Sequence, residues 1–189
     1  MALTPRQVEQ FVEGGFLDLG SIFSAPEIEA YRAAYDSCLD TLKEEAGGEL
    51  ADISRPPRPD QQVHQIRAAH LQHELFAQLV RDSRITDAIA DLVAEDLKII
   101  LCQGLYKPPR NGGELDWHQD DAYFETESSS HKIAPLVSCW ITFDDATVES
   151  GCMWVVPGAH VDGVVEHTNK TRGLSLLVRC YTASLPVYF

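Results

Sequence analysis

Basic residues are scarce in this 189-residue chain, which has 15 Lys and Arg against 29 Asp and Glu and a net charge of −14. Nucleic acids and anionic membrane surfaces bind clustered positive charge, so this balance argues against both as partners. No apolar run approaches the roughly 20 residues that a membrane span requires. The first ten residues, MALTPRQVEQ, contain no apolar segment of a secretory signal. We therefore expect an intracellular, cytoplasmic protein.

The chain also lacks paired cysteines. It has no CxxC pair, which argues against a zinc ribbon and against a thioredoxin-like redox site. Several of its cysteines lie inside apolar runs, where a thiol behaves as a small hydrophobic group. We expect reduced thiols in a reducing compartment. The five cysteines are odd in number and widely spaced: Cys38, Cys102, Cys139, Cys152 and Cys180.

Two capping boxes predict helices near the N-terminus. The first spans Thr4–Gln7, with a proline at the first helical position, and its helix should end at Gly14-Gly15. The second spans Ser24–Glu27, and its helix should end at Gly47-Gly48. An apolar stripe at helical spacing indicates that the second helix packs on a sheet: Ile28, Tyr31, Tyr35, Leu39 and Leu42.

The rest of the chain predicts one further helical stretch and then strands. The helical stretch runs from about Val63 to Val93, with a break near Asp82-Ser83 and with polar histidines on its surface. Short strands are predicted at 16–19, 97–106, 136–143 and 152–156, separated by turns rich in Pro, Gly and acidic residues. Helices followed by strands are typical of a mainly β domain braced by N-terminal helices. We expect a single domain over residues 1–189.

The most informative short motif is Trp117-His118-Gln119-Asp120. Residues two apart in a strand point to the same face, so His118 and Asp120 can offer an imidazole and a carboxylate to one metal ion. Together with a distant second histidine, such a pair forms the 2-His-1-carboxylate site of non-haem iron(II) oxygenases. The triplet alone is weak evidence, because a histidine near an aspartate is more often a hydrogen-bonded surface pair.

Further motifs surround that pair in a fixed order. The segment QGLYKPPRNGGELDWHQDDAY (103–123) is followed by CWITFDDA (139–146) and by ESGCMWVVPGAH (149–160). This series closely resembles the phytanoyl-CoA dioxygenase family of iron(II)/2-oxoglutarate-dependent enzymes, over about residues 4–167. The resemblance implies a double-stranded β-helix, the cupin-like jelly roll, with helices packed outside it. It also implies a small-molecule substrate, with iron(II) as cofactor and 2-oxoglutarate as cosubstrate.

Carried over position by position, the resemblance assigns four residues of the site. His118 and Asp120 match the first two iron ligands, Gln103 falls where relatives contact 2-oxoglutarate, and Trp140 falls where they place an aromatic wall. Gln65 or Arg67 lies near another position that touches the cosubstrate. Core packing is the ordinary alternative for Trp140 on an apolar strand.

One histidine in the motifs is expected to be structural. His160, in P-G-x-H, matches a recurrent histidine of the family that is not an iron ligand.

The C-terminal segment departs from the family pattern. Relatives supply the second histidine ligand from a later strand, followed by an arginine that binds the far carboxylate of 2-oxoglutarate. Residues 173–189 contain no histidine, and Arg179 lacks the expected context. We therefore expect a C-terminally incomplete jelly roll with an atypical tail at 168–189.

Several consequences follow from that expectation. The remaining ligand pair should bind metal weakly, the chain as it stands should not turn over 2-oxoglutarate, and unpaired strand edges should favour self-association. The leading interpretation is a dioxygenase that hydroxylates a small organic or lipid-like substrate. The alternative is a non-catalytic jelly-roll binding or interaction protein.

Overall fold

The computed structural model describes residues 2–48, 62–93, 95–113, 117–120 and 136–163. In chain order its elements are α1 (Pro5–Gly14), α2 (Ala25–Glu45), β1 (His64–Arg67), α3 (Ala69–Gln72), α4 (Glu74–Leu79), α5 (Ser83–Leu92), β2 (Gln103–Tyr106) and a 3₁₀ turn (Ala159–Asp162). None of the described helices has the length and apolar character needed to cross a membrane.

Both N-terminal helices begin and end as the sequence predicts. Gln7 accepts a hydrogen bond from the Thr4 N–H at 2.9 Å, and Glu27 accepts one from the Ser24 N–H at 2.8 Å, so each box satisfies a backbone donor that the helix leaves unpaired. Gly15 ends α1 with φ of 76°, a left-handed conformation that glycine adopts without steric cost.

The core lies where α2 meets the helices that follow β1. The apolar stripe of α2 is buried at Tyr31, Tyr35 and Leu39, as predicted, while its packing on a sheet stays a prediction. Phe143 stacks on Tyr31 with ring centroids 5.9 Å apart and on Phe76 with centroids 6.3 Å apart. This aromatic layer fixes the end of the 136–143 segment against α2. Arg32 of α2 strengthens the attachment, since it donates to the Phe143 carbonyl and pairs with Asp144 at 2.9 Å.

An arginine clamp joins the start of α2 to the start of α5. The Arg84 guanidinium lies 2.7 Å from carboxylate oxygens of both Glu27 and Asp82, and it stands 4.3 Å above the Phe23 ring. These hydrogen bonds lower the pKa of Glu27 to about 2 and also lower that of Asp82. Both carboxylates therefore stay ionised in the folded chain well below neutral pH.

The helix predicted from Val63 to Val93 is wrong at its beginning. Residues His64–Arg67 form β1, which pairs antiparallel with β2 in the register His64–Tyr106 to Arg67–Gln103. His64 is buried against the Tyr106 ring instead of lying on a polar helix surface. The ladder hydrogen bonds to a strand 36–42 residues away override the local helical pattern. After Ala68 the stretch forms three helices. The predicted break lies between α4 and α5, next to Asp82, and a further break lies at His73, whose φ of −146° and ψ of 135° are extended.

The predicted strands are only partly present in the described residues. Of 97–106, only β2 (Gln103–Tyr106) forms ladder pairs, because its partner β1 ends at Arg67 and the next residue, Ala68, has φ of 51°. Residues 97–101 lie outside any strand, and four large apolar side chains there are 40–48% exposed. Segments 16–19, 136–143 and 152–156 have no strand assignment either. A two-stranded sheet is what the described residues contain, so the jelly roll stays a prediction.

The segment around Gly158 docks on the C-terminal end of α1. The Gly158 N–H donates to the Gly14 carbonyl at 2.8 Å, and His160 Nε2 lies 2.8 Å from the Val12 carbonyl. A carbonyl oxygen only accepts, so Nε2 carries the proton. This contact gives His160 a structural position on a helix end, as the sequence predicts.

Candidate iron and cosubstrate site

The pair singled out by the sequence comes together in the structure. His118 Nε2 lies 3.4 Å from Asp120 Oδ1, and the two side chains are 19% and 13% exposed. Gln119, between them, is buried and donates from Nε2 to the Gly163 carbonyl at 2.9 Å. Gln119 therefore anchors the segment to Gly163, while the partly exposed side chains of His118 and Asp120 face each other.

Ser138 is a member of the site that the sequence analysis missed. Its hydroxyl donates to Asp120 Oδ2 at 3.1 Å, so one carboxylate oxygen is held by Ser138 while the other faces His118. Its partner lies 18 residues away along the chain, so no local pattern pointed to it. Residues Cys139 and Ile141 of the same segment pack against the core.

Trp140 is half-buried and is not a member of the core cluster. Its neighbours on both sides are packed there, and burial raises the pKa of the Cys139 thiol to about 11. The 136–143 segment thus presents one apolar side to the helices and carries Ser138 toward Asp120. Trp140 lies two residues after Ser138 in this segment.

The cosubstrate candidates lie on the β1–β2 sheet. Gln103 is buried, at 9% exposure, and stands opposite Arg67 in the strand register. Gln65, on the same face, donates from Nε2 to Gln103 Oε1, and Arg67 donates from Nε to Gln65 Oε1 at 3.0 Å. The three polar side chains that the sequence connected with 2-oxoglutarate are therefore joined in one hydrogen-bonded chain.

Lys107 follows β2 at the Pro-Pro turn. Its ammonium donates to the Gly151 carbonyl at 3.3 Å, which ties the turn to the segment before Cys152. Within the described residues, no group of three or more His, Cys, Asp or Glu side chains is arranged to hold a metal ion. The described site thus consists of the His118–Asp120 pair and the polar side chains on the β1–β2 sheet.

Comparison with known proteins decides the family. The family profile described as phytanoyl-CoA dioxygenase (PhyH) matches residues 11–175, which is most of the chain. The chain belongs to the phytanoyl-CoA dioxygenase (PhyH) family. The family consists of dioxygenases that generally depend on iron(II) and 2-oxoglutarate, and its fold is the cupin-like jelly roll.

Individual PhyH relatives agree with this membership at modest identity. A phytanoyl-CoA dioxygenase domain-containing protein 1 from Bos taurus is 24% identical over 222 residues, covering 98% of this chain and 75% of the relative. A phytanoyl-CoA dioxygenase from Arabidopsis thaliana is 24% identical over 199 residues, covering 87% and 67%. An ectoine dioxygenase from Stutzerimonas stutzeri (strain A1501) is 27% identical over 155 residues, covering 81% and 49%. Relatives named for such different substrates support the reaction class and leave the substrate open.

Proposed function

We propose that this chain carries the iron- and cosubstrate-binding face of an iron(II)/2-oxoglutarate-dependent dioxygenase that hydroxylates a small organic or lipid-like substrate. The observation that carries the proposal is the His118–Asp120 pair, with one carboxylate oxygen fixed by Ser138 and the other beside the imidazole. Membership of the PhyH family supplies the reaction class.

The spacing of the pair fits a metal ion. Two ligand atoms bound at about 2.1 Å are separated by about 3.0 Å at a right angle and by about 3.4 Å at the tetrahedral angle. The observed separation of 3.4 Å lies at the upper end of that range, so little movement is needed for both atoms to bind one ion. A neutral imidazole and a carboxylate are two of the three ligands of the iron(II) facial triad. Ser138 would then act as the hydrogen-bonded support that ligating carboxylates ordinarily have.

The cosubstrate roles of Gln103 and Trp140 belong to the same proposal. Gln103 is buried and polar on the sheet face, where hydrogen bonds to a carboxylate or a ketone oxygen are worth more than in water. Trp140 stands outside the core cluster, two residues after Ser138, and it would form an apolar wall beside the cosubstrate. Bound iron(II) would supply the site at which dioxygen is activated while 2-oxoglutarate is decarboxylated. The residues of the chain hold, orient and shield the reactants.

A second candidate function is a non-catalytic binding protein with the same fold. It is favoured by the lack of a third ligand beside His118 and Asp120 among the described residues. Production of succinate from 2-oxoglutarate by the purified 189-residue chain, with iron(II) and ascorbate, tests the non-catalytic function. That function predicts turnover at background level. Iron-dependent turnover would exclude it and would require a third ligand from elsewhere in the chain.

The metal role is tested by manganese(II) binding in a calorimeter, since manganese(II) is a redox-stable substitute for iron(II). We expect weak binding by the unaltered chain and none by Asp120→Ala. Asp36→Ala is the matched control, because it removes one exposed carboxylate from α2 and should leave binding unchanged. Ser138→Ala should weaken binding about tenfold, whereas Ser138→Thr should retain it. Unchanged affinity in Asp120→Ala would exclude the site.

A further inference from the structure

The hydrogen bonds that join Arg67, Gln65 and Gln103 on the β1–β2 sheet all run in one direction, from donor to acceptor. Arg67 stands opposite Gln103 in the antiparallel register, and Gln65 lies two residues before Arg67 on the same face. The Arg67 guanidinium only donates hydrogen bonds, so the Gln65 atom 3.0 Å from its Nε must be the carboxamide oxygen. The amide nitrogen of Gln65 is thereby turned toward Gln103.

The same argument fixes the next residue. Because Gln65 donates from Nε2, the atom of Gln103 that meets it must be the acceptor Oε1. The amide nitrogen of Gln103 then points away from Gln65. No hydrogen-bond partner for that nitrogen occurs among the described residues. Gln103 is 9% exposed, so its orientation is set by neighbouring side chains more than by water.

We infer that Arg67 and Gln65 are positioning residues that make Gln103 a hydrogen-bond donor toward its ligand. A free carboxamide can present either its oxygen or its NH₂ group, and an oxygen would repel a carboxylate or ketone. We call this hydrogen-bonded series, Arg67 to Gln65 to Gln103, the relay. With the relay in place, Gln103 presents its two side-chain N–H groups and therefore selects a ligand oxygen that accepts hydrogen bonds. The inference rests on the proposed function in one respect, namely that the ligand of Gln103 is 2-oxoglutarate.

The first experiment measures 2-oxoglutarate binding to the full chain in the presence of manganese(II), by calorimetry. Arg67→Ala should lower the affinity about tenfold, the usual effect of misaligning one hydrogen bond to a charged group. Arg81→Ala is the charge-matched control, because Arg81 is exposed and donates to the Ala77 carbonyl of α4, the helix that precedes it. Its affinity should equal that of the unaltered chain.

A double-mutant cycle distinguishes positioning from direct attraction. If Arg67 acts through Gln103, Arg67→Ala should change the affinity by less than twofold in a Gln103→Met background, which keeps the side-chain volume without its hydrogen bonds. An equal loss in both backgrounds would show that the guanidinium attracts the ligand directly, and it would overturn the relay. No loss in either background would overturn it as well.

The second experiment needs neither metal nor cosubstrate. Hydrogen exchange of the Gln65 side-chain NH₂, followed by NMR, should be slower than that of exposed Gln10 and should accelerate in Arg67→Ala but not in Arg81→Ala. If the unaltered chain fails to bind 2-oxoglutarate while this dependence on Arg67 is present, the relay stands and the cosubstrate assignment fails. If the exchange of Gln65 does not depend on Arg67, the relay is wrong.

Discussion

Replacement of Gly15 by alanine tests how tightly the segment around Gly158 is docked on α1. A Cβ at Gly15 would lie 2.3 Å from His160 Nδ1 and 2.9 Å from its Cγ, far inside van der Waals contact. The backbone there has φ of 76°, which costs an L-residue about 1–2 kcal/mol. To relieve the contact, the His160 ring must move and give up its 2.8 Å hydrogen bond to the Val12 carbonyl, at a further cost of about 1 kcal/mol.

Gly20 provides a matched control. Its φ is 63°, also left-handed, but no atom lies within 4 Å of the position that a Cβ would occupy. Gly20→Ala should therefore carry only the backbone cost, partly offset by the lower entropy of the unfolded chain. That offset is shared by both variants, so it cancels in their difference. We expect Gly15→Ala to be less stable than Gly20→Ala by about 1–3 kcal/mol.

Urea unfolding followed by far-UV circular dichroism measures this difference. In thermal unfolding, each kcal/mol should lower Tm by about 2–4 °C for a chain of this size. In a His160→Ala background the obstruction is gone, so the cost of Gly15→Ala should fall to that of Gly20→Ala. Equal stabilities of the two single variants, or an excess cost that persists without His160, would refute the reasoning.

Three further predictions concern protonation, thiol reactivity and association. Because Glu27 has a folded pKa of about 2, below its ordinary value of 4.5, its ion pair with Arg84 should stabilise the chain above about pH 4.5. The destabilisation caused by Arg84→Ala should then shrink as pH falls from 5 to 2, and a constant difference in urea midpoints would contradict this. Packing against the core raises the pKa of Cys139 to about 11. Its alkylation at pH 8, followed by mass spectrometry, should therefore be slow until urea unfolds the chain. Rapid labelling of the folded chain would contradict that packing. The exposed apolar side chains at 97–101 should promote self-association, and Ile100→Glu should shift the sedimentation profile toward monomer; an unaltered chain that is already monomeric would contradict this.

Local sequence determined the features whose partners are close along the chain. The capping boxes at Thr4 and Ser24 specify where α1 and α2 begin, because each is completed within three residues. His118 and Asp120 lie two residues apart in the motif, so their approach needs no partner from elsewhere in the chain. Family membership was likewise readable from the order of the motifs, and the match over residues 11–175 confirms it.

Tertiary structure decided the features whose partners are distant. Residues 64–67 have a helical pattern locally but become β1, since pairing with β2 supplies ladder hydrogen bonds that a local pattern cannot anticipate. The bond of Ser138 to Asp120 and the contact of His160 with Val12 span 18 and 148 residues, and neither leaves a periodic signal. The same holds for the direction of the Arg67–Gln65–Gln103 chain, because a carboxamide can present either end until a donor-only neighbour fixes it.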